Sequence, residues 1–218
     1  MAPAGIVAAR SMLNQVALAL RSTTAHQALR AQALTDGLTG LANRAAFSAA
    51  LAGVPHSADS ESWVLFLDLD DFKVVNDTLG HLAGDRLLAH LGTALTRTLR
   101  RTDLCARLGG DEFAVLLPGT SESEARALGG RLVDLISTPV QLPEGVARIG
   151  ASIGAARVRP GATETEVVHE ADLAMYAAKA TGKNRVQFFS SSLLVPETVA
   201  DQPSRPLTPA GGGRPGGV

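Results

Sequence analysis

A continuous apolar run from Trp63 to Leu67 constrains the fold of this 218-residue chain more than any other segment. An uninterrupted apolar run of this length is typical of a strand that is buried on both faces of a sheet. Hydrophobic residues make up 45% of the chain, which is enough to bury a core and excludes a wholly disordered protein. The run therefore predicts a central strand of a globular domain. The apolar pattern indicates that this domain covers residues 35–189.

Apolar periodicity predicts the other elements of this domain. A Gly109-Gly110 pair separates two strand-like runs and predicts a β-hairpin. The predicted helices are 44–53, 71–77, 83–99, 121–137 and 163–181, and the predicted strands are 63–67, 104–108, 113–117, 148–157 and 186–189.

The two ends of the chain differ from the domain in composition. Residues 1–34 are interpreted as an N-terminal helical arm, because 6–34 are rich in Ala, Leu, Gln and Arg and contain no Gly or Pro. Two interpretations stay open for this arm: a helix packed on its own domain, or a coiled-coil-like arm that pairs with a second chain. Residues 190–218 are predicted to be a disordered tail rich in Pro and Gly.

Charge and cysteine content exclude several classes of protein. The formal net charge is −1, which argues against a protein that coats nucleic acid through bulk electrostatics. A single cysteine excludes a disulfide framework and a cysteine-ligated zinc site. There is no run of about 18 apolar residues, so we expect no transmembrane segment. A cytoplasmic location is the default expectation.

Acidic residues cluster where the predicted central strand ends. Asp68 and Asp70 follow the apolar run and point to the same side of a strand, and Asp111-Glu112 lie at the tip of the predicted hairpin. If the two strands are neighbours, Asp68 and Asp111 converge. Hard oxygen ligands of this kind suit Mg²⁺ shared with substrate phosphates. Asp71, by contrast, is expected simply to cap the following helix.

Five segments of the chain together resemble one known family, the GGDEF diguanylate cyclases. The most specific is Leu108–Phe113, which matches the signature loop for which the family is named. Four more segments agree with the family pattern in order and spacing, and the resemblance covers about residues 35–189. These segments are 36–44, 68–85, 151–154 and 171–185.

The resemblance implies a fold of the α+β class and a specific activity. The fold is that of the nucleotidyl cyclases and the polymerase palm, with a central, mostly antiparallel sheet flanked by helices. The activity is condensation of two GTP molecules into cyclic di-GMP with release of two pyrophosphates. By similarity, Asp68, Asp111 and the backbone carbonyl of Leu69 hold two Mg²⁺ (or Mn²⁺) ions per active site. Glu112 is a further ligand, or the group that helps to deprotonate the attacking 3′-hydroxyl.

The resemblance also assigns substrate-binding residues. Asn76 and Asp85 match the positions that read guanine, and a carboxylate suits this task because guanine offers two donors, N1–H and N2–H₂. Lys179 and Lys183 match phosphate-binding positions, and their i, i+4 spacing predicts a shared helix face. Lys73 is expected to stabilise charge that develops in the transition state. Phe72, Gly109 and Gly110 complete the predicted contacts with the nucleotide.

Further expectations concern regulation and assembly. Arg100 and Asp103 fit the family's inhibitory Arg-x-x-Asp site, where the product cyclic di-GMP binds, with Arg131 as a secondary contact; a plain surface ion pair is the alternative. Two nucleotides must be joined by two bonds, so a homodimer is expected, with an upstream sensor protein as a further partner. The alternative to an enzyme is a non-catalytic module that binds cyclic di-GMP or GTP.

Overall fold

The computed structural model describes residues 34–54 and 61–194 of the chain. The predicted arm therefore lies outside the described residues except for its last position, and so does the predicted tail beyond residue 194. Within the described part, none of the helices is long and apolar enough to cross a lipid bilayer.

The described chain forms five helices, eight strands and a short 3₁₀ turn. The helices are α1 (Arg44–Ala52), α2 (Phe72–Leu79), α3 (His81–Thr98), α4 (Glu122–Ser137) and α5 (Glu164–Ala180). The strands are β1 (Ala42–Asn43), β2 (Trp63–Asp70), β3 (Leu104–Gly109), β4 (Glu112–Leu117), β5 (Val140–Leu142), β6 (Gly145–Ala147), β7 (Gly150–Arg157) and β8 (Arg185–Phe188), and Ser191–Leu194 form the 3₁₀ turn.

Six strands form one sheet in the order β1-β3-β4-β2-β7-β8, and β5 and β6 form a separate hairpin. The three central pairings are antiparallel, and the two edge pairings, β1 with β3 and β7 with β8, are parallel. The expected class, a mostly antiparallel central sheet flanked by helices, is confirmed. The apolar run of β2 lies near the middle of this sheet, as its composition predicts.

Each face of the sheet has its own hydrophobic core. Leu65 and Leu67 of β2 face one core, which is closed by α2, α3 and α4. Val64 and Phe66 alternate with them and face the other core, which is closed by α1 and α5. Asp68 continues the second alternation, so the end of β2 directs its carboxylate toward the α5 side of the sheet.

Local sequence signals explain where the two long outer helices begin. Ser121 Oγ accepts a hydrogen bond from the Glu124 amide, and the Glu124 carboxylate accepts one from the Ser121 amide, so α4 starts with a capping box. Thr163 and Glu166 form the same arrangement at the start of α5. The α5 cap fixes the helix whose last turn carries Lys179, and so it helps to define one side of the site described next.

Candidate active site

The two predicted acidic segments meet at one end of the sheet. β2 and β4 are adjacent and antiparallel, and Asp68 lies opposite Glu112 in their register. The Leu69 amide donates to the Asp111 carbonyl at 3.3 Å, so the pairing continues into the turn. The expected convergence of Asp68 with the hairpin tip is therefore confirmed at the level of the backbone.

The turn between β3 and β4 depends on its two glycines and on one arginine. Gly109 and Gly110 have φ values of 145° and 53°, which residues with a Cβ rarely adopt. The Arg107 guanidinium donates two hydrogen bonds to the Gly110 carbonyl, at 3.0 and 2.8 Å. Arg107 also pairs with Asp36 at 3.3 Å. The signature turn is thereby tied to the segment that precedes β1.

Asp36 is the ionised partner of Arg107 in this ion pair. Partial burial opposes its ionisation, but hydrogen bonds from Thr39 and the nearby Arg107 charge outweigh burial and lower its pKa. Thr39 donates to Asp36 from both its amide and its hydroxyl, at 2.9 and 2.7 Å. No role was predicted for Arg107 from the sequence. Its position two residues before the glycine pair is the feature from which a role in the turn could have been predicted.

Two lysines extend over the acidic end of β2. Lys179 Nζ lies 2.7 Å from Asp68 Oδ2, and Lys183 Nζ donates to Asp71 Oδ1 at 2.8 Å. The hydrogen bond to Asp71, followed by the charge of that carboxylate, raises the pKa of Lys183. The prediction of a shared helix face is wrong, because α5 ends at Ala180 and Lys183 lies beyond it with a φ of 59°. The loop rather than the helix brings Lys183 to the site.

Asp71 departs from its predicted capping role, and its neighbour Asp70 is held by residues from other elements. Asp71 occupies the N-cap position of α2, but its side chain makes no capping hydrogen bond and its φ is 64°. The Asp71 carboxylate instead accepts from Lys183. Asp70 is buried and accepts from Ser152 Oγ and from the Asn184 amide. The capping prediction is wrong because residues more than 80 positions away in sequence bind these carboxylates in place of the α2 amides.

The donor set at the site fits a hard divalent cation. Asp68 lies opposite Glu112 in the pairing of β2 with β4, Asp111 precedes Glu112, and Lys179 places a positive charge against Asp68. Within the described residues, no group of three or more His, Cys, Asp or Glu side chains is placed so that it could hold a metal ion by itself. A protein that supplies few side-chain ligands suits Mg²⁺, which usually keeps water and substrate phosphate as its remaining ligands.

The predicted base-reading residues lie on the corner between α2 and α3. Asn76 is on α2, Asp85 is exposed in the first turns of α3, and Gly84 lies directly beneath Asn76. A Cβ added to Gly84 would come within 2.0 Å of Asn76 Oδ1. The missing side chain at position 84 therefore lets α3 approach Asn76 of α2 closely, one residue before Asp85.

Phe72 and Lys73 have different environments although they are neighbours. The Phe72 side chain is buried in the core, so its predicted contact with substrate is wrong for the ring. Only the backbone of Phe72 is available, at the start of α2, where the first amides have no acceptor within the helix. Lys73 is exposed, and it forms no ion pair with any of the described acidic residues.

Two residues of the predicted inhibitory site, Arg100 and Asp103, are hydrogen-bonded to each other in the turn between α3 and β3, and Arg131 lies on α4. The Arg100 amide donates to Asp103 Oδ2 at 2.9 Å, and the Asp103 amide donates to the Arg100 carbonyl at 3.0 Å. Both residues line a cavity of about 470 Å³, and with Arg131 they line a smaller cleft. The Arg100 guanidinium pairs with Glu124 at 3.2 Å. The surface ion pair considered from the sequence is thus present, with Glu124 as the partner.

A second cavity, which sequence reasoning missed, adjoins Glu112. It has a volume of about 340 Å³ and lies between the sheet and α5. Arg44, the first residue of α1, lines it and approaches Glu112 at 3.9 Å. Arg44 ends the segment 36–44, which matches the family pattern. That match is the sequence feature from which a role for Arg44 near the site could have been predicted.

Comparisons with known proteins agree with this geometry. The family profile described as "Diguanylate cyclase, GGDEF domain" matches residues 33–185. The cyclic di-GMP phosphodiesterase NbdA of Pseudomonas aeruginosa is 40% identical over 180 residues, which cover 80% of this chain and 23% of NbdA. The diguanylate cyclase TpbB of the same organism is 37% identical over 186 residues, which cover 82% of this chain and 43% of TpbB. This chain thus spans less than half the length of either relative.

The fold is also shared with solved structures. The coiled coil and GGDEF domain of DgcB from Caulobacter crescentus, in complex with c-di-GMP, superimposes with a TM-score of 0.75. The sequence identity is 31%, and the match covers 84% of this chain and 98% of the DgcB chain. The family profile matches well over half of this chain, and the site geometry and the structural match agree with it. This protein belongs to the GGDEF domain family.

Proposed function

We propose that this protein is a diguanylate cyclase that condenses two GTP molecules into cyclic di-GMP and releases two pyrophosphates. The observation that carries the proposal is the position of Asp68, opposite the Gly109–Glu112 turn and within 2.7 Å of Lys179. Carboxylates beside lysines suit a substrate whose triphosphate is accompanied by a cation. TpbB, which is named a diguanylate cyclase, provides further support.

The carboxylate side of the site would hold the divalent metal on which GGDEF diguanylate cyclases generally depend. Asp68, Asp111, Glu112 and the Leu69 carbonyl are the proposed ligands of two Mg²⁺ (or Mn²⁺) ions. When bound, the metal would neutralise charge on the reacting phosphate and lower the pKa of the attacking 3′-hydroxyl. The Glu112 carboxylate is the group on this chain that can accept the 3′-hydroxyl proton as the new bond from O3′ to the α-phosphorus forms.

The lysine side would hold the triphosphate. Lys179 and Lys183 provide two positive charges for the β- and γ-phosphates, and the first backbone amides of α2, at Phe72 and Lys73, can donate to phosphate oxygens. Breaking the bond between the α-phosphorus and pyrophosphate moves negative charge onto the leaving group, and these cations would stabilise that charge. Lys73, exposed and without an acidic partner in the described chain, is the cation most free to move toward it.

Synthesis of a cyclic dinucleotide requires two such sites to face one another. Each domain would bind one GTP, and the 3′-hydroxyl of each nucleotide would attack the α-phosphorus of the other. We therefore propose a homodimer as the active form. In this proposal the segment 1–34 mediates dimerisation. An upstream sensor protein is a further proposed partner.

Base specificity gives a direct prediction for Asp85. The wild-type protein should use GTP better than ITP, which lacks the 2-amino donor, by about tenfold or more in kcat/KM. Asp85→Asn replaces one acceptor oxygen with a donor and should remove most of this preference. Initial rates with GTP and with ITP measure the ratio. Asp77→Asn, an exposed aspartate on α2, is the matched control, and an unchanged GTP/ITP ratio in Asp85→Asn would contradict the assignment.

We also propose that cyclic di-GMP inhibits the enzyme at Arg100, Asp103 and Arg131. Hydrogen bonds from the Ser121 amide, then from its hydroxyl, and a bond from Arg100 lower the pKa of Glu124 to about 2. Glu124 is therefore ionised at neutral pH and competes with an anionic product for Arg100. Product binding must displace this carboxylate.

Arg100→Ala should raise the cyclic di-GMP concentration for half inhibition by about tenfold, because a charge-assisted contact is lost. Glu124→Gln should lower it, because the competing partner becomes neutral. Initial rates measured against added product give both values. Arg97→Ala, an exposed arginine on α3 that lines neither the cavity nor the cleft, is the matched control. Unchanged inhibition in Arg100→Ala would refute the site.

A non-catalytic regulatory domain is the alternative function, favoured by the match to NbdA, which is named a phosphodiesterase. In that case the site would bind GTP or cyclic di-GMP without turnover. Isothermal titration calorimetry combined with product analysis separates the two functions. Tight nucleotide binding by a protein that forms no cyclic di-GMP would favour the regulatory domain.

A further inference from the structure

Backbone strain is concentrated at one junction beside the proposed triphosphate site. In the part of the chain that the structure describes, three non-glycine residues have positive φ: Asp71 at 64°, Lys183 at 59° and Asn184 at 47°. A left-handed conformation is unfavourable for residues with a Cβ, and it persists only where other contacts hold it. The hydrogen bond between Lys183 and Asp71 shows that the three residues belong to one junction.

Asp70 is the group that holds this junction from inside. It is 4% exposed, and its Oδ2 accepts a hydrogen bond from the Asn184 amide at 2.9 Å. Ser152 Oγ lies 2.8 and 3.1 Å from the two Asp70 oxygens. Both carboxylate oxygens therefore have partners within the protein. Because a buried carboxylate without partners is very costly, these bonds act as a strong local constraint.

The loop backbone is fixed by contacts with several neighbouring elements, whereas the Lys183 side chain is half-exposed and contacts Asp71. Asn184 Oδ1 accepts from Ser137 Oγ at 2.7 Å and from the Ala151 amide at 3.3 Å. The Lys183 amide donates to the Ala178 carbonyl at 3.0 Å. The Lys183 side chain remains 49% exposed above Asp71. The backbone on both sides of Lys183 is anchored, and its ammonium group faces the site.

We propose that Asp70 is a positioning residue that holds Lys183 over the phosphate-binding side of the site through its hydrogen bond to the Asn184 amide. The proposal rests on the proposed function, since it takes the β- and γ-phosphates of GTP as the ligand of Lys183. It gives Asp70 a role distinct from that of Asp68, two residues earlier on the same strand. Asp68 would contact the reacting groups, and Asp70 acts only through the loop at 182–184.

This role predicts an effect on triphosphate binding that a general loss of structure would not produce. Asp70→Ala should weaken binding of guanosine 5′-(α,β-methylene)triphosphate, which cannot release pyrophosphate, by about tenfold, the size of one lost charge-assisted contact. Binding of GMP, which has no β- or γ-phosphate, should stay unchanged. Calorimetric titration of the full chain with both nucleotides measures the ratio of the two affinities.

Variants that act on the same bond from different sides make the test specific. Asp70→Asn should restore the ratio, since its carbonyl can accept from the Asn184 amide and its amide can donate to Ser152. Ser152→Ala removes the other bond of Asp70 and should lower stability without changing the ratio. Asp70→Ser keeps a polar group at this buried position but shortens the side chain by one carbon, so it should lose the bond to the Asn184 amide and reproduce the Asp70→Ala effect even where Asp70→Ala does not fold.

A double-variant comparison decides whether Asp70 acts through Lys183. Asp70→Ala should have no further effect on analogue affinity when Lys183→Ala is already present. Equal losses for the analogue and GMP, or additive effects with Lys183→Ala, would overturn the positioning role. A wild-type protein that binds the analogue but forms no cyclic di-GMP would overturn only the cyclase proposal, and the two failures are therefore distinguishable.

Discussion

Asp68→Asn is expected to reduce the rate of cyclic di-GMP synthesis by about a thousandfold, the upper range for removing one preorganised electrostatic group from an active site. Asparagine has nearly the same shape as aspartate, so packing at the end of β2 should be preserved. The substitution removes the negative charge that faces Lys179 at 2.7 Å. It thereby removes the proposed carboxylate ligand of the metal. Initial rates with GTP and Mg²⁺ measure the loss.

The control for Asp68→Asn is Asp134→Asn, the same chemical change at an exposed position on α4. Asp134→Asn should keep the wild-type rate and melting temperature. Asp68→Asn should keep the melting temperature within a few degrees while losing activity. An Asp68→Asn enzyme within tenfold of the wild-type rate would contradict the assignment of Asp68 to the metal and the reacting phosphate.

Gly154→Ala is expected to lower the free energy of unfolding by about 3 kcal/mol or more, which is a large effect for one methyl group. Gly154 lies in β7, where α5 crosses the sheet. A Cβ there would lie 2.0 Å from the Ala171 carbonyl oxygen and 2.2 Å from the Met175 amide nitrogen. Both are backbone atoms of α5, so the clash can be relieved only by moving the whole helix or the strand.

Urea denaturation followed by circular dichroism measures this loss. Gly130→Ala on α4 is the matched control, because a Cβ there meets no atom within 4 Å. That control should stabilise the protein by up to about 1 kcal/mol, the difference in helix propensity between glycine and alanine. Equal stability of the Gly154→Ala and wild-type proteins would mean that α5 does not pack on β7 as described.

Much of the fold was predictable because its signals are local. The apolar run of β2, the glycine pair of the β3–β4 hairpin and the capped start of α4 each lie within a few residues of sequence. The hairpin β5–β6 and the two-residue β1 were missed. Strands of two or three residues are too short to show an alternating pattern, and β1 joins the sheet through its pairing with β3.

The site was predictable where strand pairing alone fixes it. Once β2 and β4 are adjacent, Asp68 must lie near the hairpin tip. A cap by the Asp71 side chain, a helix face shared by Lys179 and Lys183 and a substrate contact by the Phe72 ring are not found, since each depends on a side-chain direction or a loop that distant contacts determine. Phe72 turns into the core, Asp71 binds Lys183 instead of its own helix, and Lys183 reaches the site from a left-handed loop.

Analysis of the products formed from GTP is the most direct test of the proposed cyclase activity. The purified full chain, verified as a dimer by light scattering, is incubated with GTP and Mg²⁺, and cyclic di-GMP and pyrophosphate are both quantified. One cyclic di-GMP should form for every two pyrophosphates, and ATP should yield no cyclic dinucleotide. A verified dimer that binds GTP but forms no cyclic di-GMP would contradict the proposed cyclase activity.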